Sequence, residues 1–194
     1  MTDSLLSLLE NQTSAPFEVL VFCSGKSKKD SESTIEIAKT LVPLRKFFLP
    51  ERKMQSFARN FLAEKAKGEW ITFFDVDDVP HPQKIEAAKK VVLENSCDFV
   101  AHSYQGHGSF DRIKSFQVYE NLVKDPNSTN IICKDAPNCA IHHAHITVRK
   151  NCFGIVEFNE SRDFYRSEDG KFCQDLLDSG FKGIFADCSL VWYT

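Results

Sequence analysis

Apolar and polar positions along the chain follow two alternating periods. Leu5, Leu6, Leu8 and Leu9 fall at helical spacing between Thr2 and Gln12, with Thr2 or Asp3 placed to cap, and predict an amphipathic helix. Phe17 to Cys23 is a mostly apolar run, which predicts a strand buried on both faces. Helical spacing returns at Ser33 to Leu41, and a short strand at Lys46 to Leu49 stops at Pro50. Met54 to Ala66 reads as a helix with Phe57, Phe61 and Leu62 on its apolar side, Arg59 and Asn60 off that stripe, and Gly68 beyond its end. The Trp70 strand follows, then a helix from Gln83 to Glu94 and a strand from Phe99 to Ser103. Residues 106–137 lack a clear period and read as a hairpin plus a loop. Ala140 to Val148 alternates as a strand with His143 and His145 on one side. Gly170 to Ser179 is a helix closed by Gly180, with strands near Phe185 and Leu190.

This succession predicts an α/β sandwich with a mainly parallel sheet flanked by helices. In such sheets ligands bind beyond the carboxyl ends of the strands, where Ser24-Gly25 and Asp75 to Asp77 both fall. At 194 residues one domain is expected, with a full core supported by 17 phenylalanines. The balance of 24 basic against 27 acidic residues gives no reason to expect nucleic acid as a partner. Seven cysteines, odd in number and without metal-ligand spacing, fit a reducing compartment. With neither a run of about eighteen apolar residues nor a basic-then-apolar N-terminus, no membrane span or signal peptide is expected, and the reading is cytoplasmic. Three glycosylation-type triplets, at Asn11, Asn127 and Asn159, are then chance matches.

The strongest chemistry lies where the Trp70 strand ends in Asp75, Asp77 and Asp78, three carboxylates within four residues. If the backbone stays extended, Asp75 and Asp77 point to the same side, and such a pair calls for a divalent cation or another strong positive charge. Turn formation or helix capping is the plainer alternative, although three carboxylates exceed what a turn needs. Val79-Pro80-His81-Pro82 then stops the strand.

The order of motifs resembles the inverting family 2 glycosyltransferases, which have the GT-A fold. The resemblance rests on Leu-Leu-Glu10-Asn-Gln-Thr13 before Phe17-Glu-Val-Leu-Val, on Phe57-Ala-Arg59-Asn60, and on Gly68-Glu-Trp-Ile-Thr-Phe-Phe-Asp75 running into Asp-x-Asp. It continues through Ile141-His-His143-Ala-His-Ile-Thr-Val-Arg149-Lys150 before Phe158-Asn-Glu-Ser161, and ends on Ser167-Glu168-Asp169. It implies one GT-A-like domain over residues 1–194, with a nucleotide-binding half at 1–78 and an acceptor and base half at 79–194.

The resemblance also implies a nucleotide-sugar donor and a glycan, lipid or protein hydroxyl acceptor. Mn²⁺ or Mg²⁺ would be held by Asp77 and Asp75, with Asp75 shared with the ribose and Asp78 in support. Arg59 would meet the nucleotide, with Asn60 and Ser24 at the same site. Asp169 would be the base, Glu168 its neighbour or an acceptor ligand, and His143 an acceptor contact. His142, His143 and His145 do not make a metal cluster on a strand, because His142 faces away from the other two. Lys26, Lys28 and Lys29 read as a solvated loop.

Two departures stand out. The first strand of the family, central in its sheet, has no counterpart before the first helix, and Cys23-Ser24 replace an acidic pair expected to hold the nucleoside. Two other readings remain open on the residues. Phe73-Phe74-Asp75-Val76-Asp77 also fits a haloacid-dehalogenase-like phosphatase, with Asp75 as nucleophile and Asp77 as acid/base, though no downstream acidic motif accompanies it. The other is a degenerate transferase fold that binds a sugar nucleotide without turnover.

Overall fold

Alternate residues of one strand divide the core in two. Phe99 and Ala101 enter a cluster with Phe73, Ile146, Val148, Phe158, Phe172 and Leu176, while Val100 faces Val91, Ile184 and Ala186 on the other side. This is the period-2 consequence of a sheet covered on both faces. In this computed structural model the described residues are 11–25, 42–76, 78–105, 133–135, 146–164 and 167–192. In chain order their elements are β1 (Val19–Ser24), β2 (Leu44–Leu49), α1 (Gln55–Lys65), β3 (Trp70–Thr72), β4 (Val79–Pro80) and α2 (Lys84–Glu94). They continue with β5 (Phe99–Gln105), β6 (Cys133–Asp135), β7 (Ile146–Arg149), 3₁₀ turns at Lys150–Gly154 and Arg162–Phe164, α3 (Glu168–Asp178) and β8 (Gly183–Trp192). Residues 2–10 of the first expected helix, the helix at Ser33 to Leu41 and most of 106–137 lie outside the described residues, while Asn11 and Gln12, at the end of the first expected helix, are not helical.

The α/β sandwich expected from the sequence is present, but its strand pairing is mixed. A two-stranded parallel sheet joins β1 to β2, and a larger sheet runs β3-β7-β5-β8-β4 with β6 also on β8. Among the described residues β1 with β2 and β5 with β8 are parallel, and the other four pairings are antiparallel. The cause is β7, which enters between β3 and β5 in the opposite direction, and β8, whose outer edge takes β4 and β6. The two strands expected near Phe185 and Leu190 are one strand of ten residues. Val79-Pro80 is itself a short edge strand on β8, a position where proline's missing N–H costs no ladder bond.

Gly183 is opposite Phe99 in the β5–β8 ladder, and a Cβ at Gly183 would lie 2.1 Å from the Phe99 ring. Phe99 is fully buried, so the ring cannot swing into solvent. Gly183→Ala is therefore expected to cost about 1–3 kcal/mol by overpacking, measured as a lower urea midpoint with an unchanged slope. Among the described residues no helix is long and apolar enough to cross a membrane, and Cys23, Cys97, Cys152, Cys173 and Cys188 form no disulfide.

Candidate functional site

Helix α1 is buried on two sides, and that places the site. Its apolar stripe, Phe57 and Phe61, meets Phe22 of β1 and Phe47 of β2, with ring centroids 5.3–5.9 Å apart. A second stripe, Ser56, Arg59 and Ala63, turns into the body of the protein and is also buried. Lys150 Nζ donates to the Ala66 carbonyl and ties the end of the helix to the 3₁₀ turn after β7. Arg59 is consequently delivered into the interior, its guanidinium 5.3 Å above the Phe158 ring.

Three carboxylates converge on it. Arg59 Nη1 donates to Asp169 Oδ1 at 2.8 Å and to Glu168 Oε1 at 3.1 Å, while Nη2 faces the two oxygens of Asp75 at 3.3 and 3.5 Å. Asp75 comes from the end of β3 and the acidic pair from the first turn of α3, so one guanidinium joins segments about a hundred residues apart. Burial alone would lower the Arg59 pKa, but Asp169, Asp75 and Glu168 override it and raise it. Burial acts in the other direction on Asp169, whose pKa is pushed up to about 6; Arg59 opposes the rise, and Glu168 and Asp75 add to it. Glu168 is buried, and its Oε2 has no hydrogen-bond partner among the described residues.

The acidic turn differs from its simplest reading. Strand β3 ends at Thr72, and Asp78 N donates to Asp75 O at 3.1 Å, so the backbone turns there and strand alternation does not set the direction of the carboxylates. Asp78 is 1% exposed, inside the protein behind the turn. Asp77 and His143 lie outside the described residues. Ser167 does not cap α3 with its side chain, and the helix already begins at Glu168.

Asn60 is held by a different partner from Arg59. Its Nδ2 donates to Phe158 O and its Oδ1 accepts from Phe158 N, both at 2.9 Å, so the carboxamide fastens α1 to the main chain that supports the Arg59 platform. Nδ2 also reaches Glu160 Oε1 at 3.0 Å. Asn60→Ala is expected to destabilise the fold by about 1–3 kcal/mol in chemical denaturation, because two main-chain groups of Phe158 lose their partner. Asn60→Asp should recover only the bond from Phe158 N. Ser24, at the end of β1, accepts from Lys53 N at 3.1 Å and closes the loop beside Gly25, whose φ of +75° favours glycine.

One participant was not singled out from the sequence. Lys84, at the start of α2, is fully buried, with Nζ 3.4 Å from Phe73 O and 5.2 Å from the centre of the Phe74 ring. Burial lowers its pKa to about 8, against the pull of Asp78 and Asp75. The available signal was its position: Lys84, Ala88 and Val91 share one helical stripe, so this lysine stands where an apolar residue is expected. The described part of the site thus sets four carboxylates, Asp75, Asp78, Glu168 and Asp169, against two cations, Arg59 and Lys84. Among the described residues no group of three or more His, Cys, Asp or Glu side chains is placed to hold a metal ion.

A sequence profile of the family described as "Glycosyl transferase family 2" matches residues 1–151. An uncharacterized glycosyltransferase of Haemophilus influenzae is 30% identical over 110 residues, covering 57% of this chain and 41% of that protein. One from Rickettsia bellii is 30% identical over 132 residues, covering 68% of this chain and 18% of the relative. The chain thus spans less than half the length of these curated relatives. Among solved structures, S. aureus TarS 1–349 in complex with UDP-GlcNAc superposes with a TM-score of 0.69 at 18% identity, over 100% of this chain and 54% of that one. The mannosyltransferase PcManGT from Pyrobaculum calidifontis, in complex with GDP-Man and Mn²⁺, gives 0.66 at 16% identity over 98% and 52%. At these identities the likeness establishes the GT-A fold.

Proposed function

The chain belongs to glycosyl transferase family 2, and from that premise we propose that it transfers a sugar from a nucleotide-sugar donor to a hydroxyl acceptor with inversion at the anomeric carbon. The observation that carries the reading is the convergence of Asp75, Glu168 and Asp169 on buried Arg59. It joins a donor-side carboxylate to a proton acceptor. In the proposed step Asp169 accepts the proton of the acceptor hydroxyl as that oxygen bonds to the anomeric carbon. The bond from that carbon to the diphosphate oxygen breaks, and the nucleoside diphosphate leaves with the electron pair.

Glu168 suits an orienting role, since its unpartnered Oε2 can accept a hydrogen bond from the acceptor. Arg59 keeps Asp169 ionised against burial and faces the donor through Asp75. Residues 1–78 would bind the nucleotide, and 79–194 would carry the acceptor and the base. Mn²⁺ or Mg²⁺, held by Asp75 and Asp77, would supply positive charge against the departing diphosphate. Asp78 and Lys84 support the turn from behind. Ser24 and His143 complete the proposed set, as a nucleoside contact and an acceptor contact. UDP-GlcNAc and GDP-Man, bound by the two structural neighbours, head the donors to test.

The test is a thermal-shift panel of nucleotide sugars with Mn²⁺ or with EDTA, since ligands that bind the folded state raise its melting temperature. At least one donor and its nucleoside diphosphate should stabilise the protein with Mn²⁺ and do so less with EDTA. Equal shifts in both conditions would remove the metal site. Stabilisation without transfer to any hydroxyl acceptor would leave a binding domain.

A further inference from the structure

Residues Gln12 to Ala15, ahead of β1, lie along the start of helix α2, on partners 69–75 residues further on in the chain. Gln12 Nε2 donates to His81 O at 2.9 Å, and Gln12 Oε1 accepts from Ile85 N at 3.1 Å. Thr13 N donates to Pro82 O and Thr13 Oγ1 to Glu86 Oε2, while Lys89 Nζ donates to Ser14 Oγ and Ala15 O. The first N–H groups of a helix have no intrahelical partner, and Gln83, which precedes α2, makes no side-chain cap. A carboxamide from a distant segment takes the place of that local cap. Its two bonds flank Lys84, whose own N–H is on His81 O at 3.0 Å, the carbonyl that Gln12 also holds. The main chain of Lys84 is thus fixed on both sides. Its fully buried side chain returns to the residues just before Asp75, with Nζ 3.4 Å from Phe73 O and over the Phe74 ring. Residues 73–81, which carry the acidic turn and β4, are therefore pinned at both ends: Lys84 holds Phe73, and Gln12 holds His81.

We propose that Gln12 is a positioning residue for the acidic turn, whose carboxamide, by bridging His81 O and Ile85 N, sets where Lys84 holds Phe73 and where Asp75 presents its carboxylate. Only an amide suits both partners, since a carboxylate can accept from Ile85 N but has no hydrogen to give His81 O. The side-chain contacts of Thr13, Ser14 and Ala15 with α2 are exposed and lay the segment along the helix, whereas both bonds of Gln12 are partly buried. Gln12 therefore acts through the first turn of α2 and not on the reacting atoms. Asp169, on α3, is outside this chain of contacts, so Gln12 bears on the donor and not on the base. That consequence for the donor rests on the proposed transferase reading; the positioning of the turn does not.

The test compares Gln12→Ala and Gln12→Glu with the unmodified whole chain, by residue-resolved amide hydrogen exchange and by titration of UDP and of GDP with Mn²⁺. In both variants the Asp78 amide, whose bond to Asp75 O closes the turn, should exchange about fivefold faster, the factor for one net hydrogen bond lost from local opening. The Phe181 amide, bonded to Leu176 O at the end of α3, should keep its rate. The Kd of the nucleoside diphosphate should rise about tenfold, and the KM of the donor with it, with kcat little changed. Gln12→Glu separates positioning from capping, because it still accepts from Ile85 N and adds negative charge at the helix start. Normal Asp78 exchange and normal affinity in that variant would overturn the proposal. So would an Asp78 rate unchanged in both variants, or one that rises only together with that of Phe181, the sign of general destabilisation. Unchanged nucleotide affinity beside faster Asp78 exchange would overturn the role at the donor site. Faster Asp78 exchange in a chain that binds neither UDP nor GDP would uphold the positioning and sink the transferase reading instead. If Gln12→Ala fails to fold, Gln12→Glu decides alone.

Discussion

Asp169→Asn is expected to lower turnover by about 10²–10⁴-fold, the range for removing a positioned general base, while leaving nucleoside diphosphate affinity in Mn²⁺ within about twofold. The split follows from geometry, because Asp169 touches Arg59 and not the acidic turn, and an amide oxygen still accepts from Arg59 Nη1. The unmodified enzyme should show kcat/KM rising with pH through about 6, where Asp169 loses its proton, and this acid limb should vanish in the Asn variant. Stability provides a second readout. The native state holds this proton more tightly than the unfolded chain, whose Asp titrates near 3.8, so the group's contribution to stability falls as pH rises from about 4 to 6. Across that window the stability difference should move in favour of the Asn variant. Unchanged turnover would take the base role away from Asp169.

Arg59→Ala should have the largest effect on stability. It leaves Glu168 and Asp169 buried, with Asp75 nearby, and without the cation that compensates them. Breaking a buried ion pair from one side costs about 3–5 kcal/mol, far more than an exposed pair is worth. The loss should appear as a lower urea midpoint at pH 7 and should shrink at pH 5, where Asp169 takes up a proton. Arg59→Lys should recover only part, because one ammonium cannot present two separated donors to carboxylates on different segments. Without the Arg59 charge the Asp169 pKa rises further, so any remaining activity should have its acid limb above pH 6. A cost below about 1 kcal/mol would mean that the carboxylates escape to solvent.

Much of this site was legible in the chain. Arg59, the acidic turn and Glu168-Asp169 stand out as charged residues next to regular elements, and their order carries the family resemblance. What the stripe of Phe57 and Phe61 conceals is that α1 is buried on a second face, since one apolar stripe accounts for only one contact. Lys84 was passed over for a related reason, a charged residue on an apolar stripe being ordinarily a solvated helix end. The extended geometry assumed for Asp75 failed because a turn of i to i+3 type begins there.

Local periodicity determined where strands and helices form, and the spacing of polar residues determined which of them carry charge at strand and helix ends. Those are short-range properties, set by neighbours within a few residues. Pairing direction was decided only in three dimensions, because β7 and β8 find their partners across long stretches of chain. The meeting of Arg59 with Asp75, Glu168 and Asp169 was decided there as well, since burying a guanidinium is favourable only where opposite charges gather from distant segments.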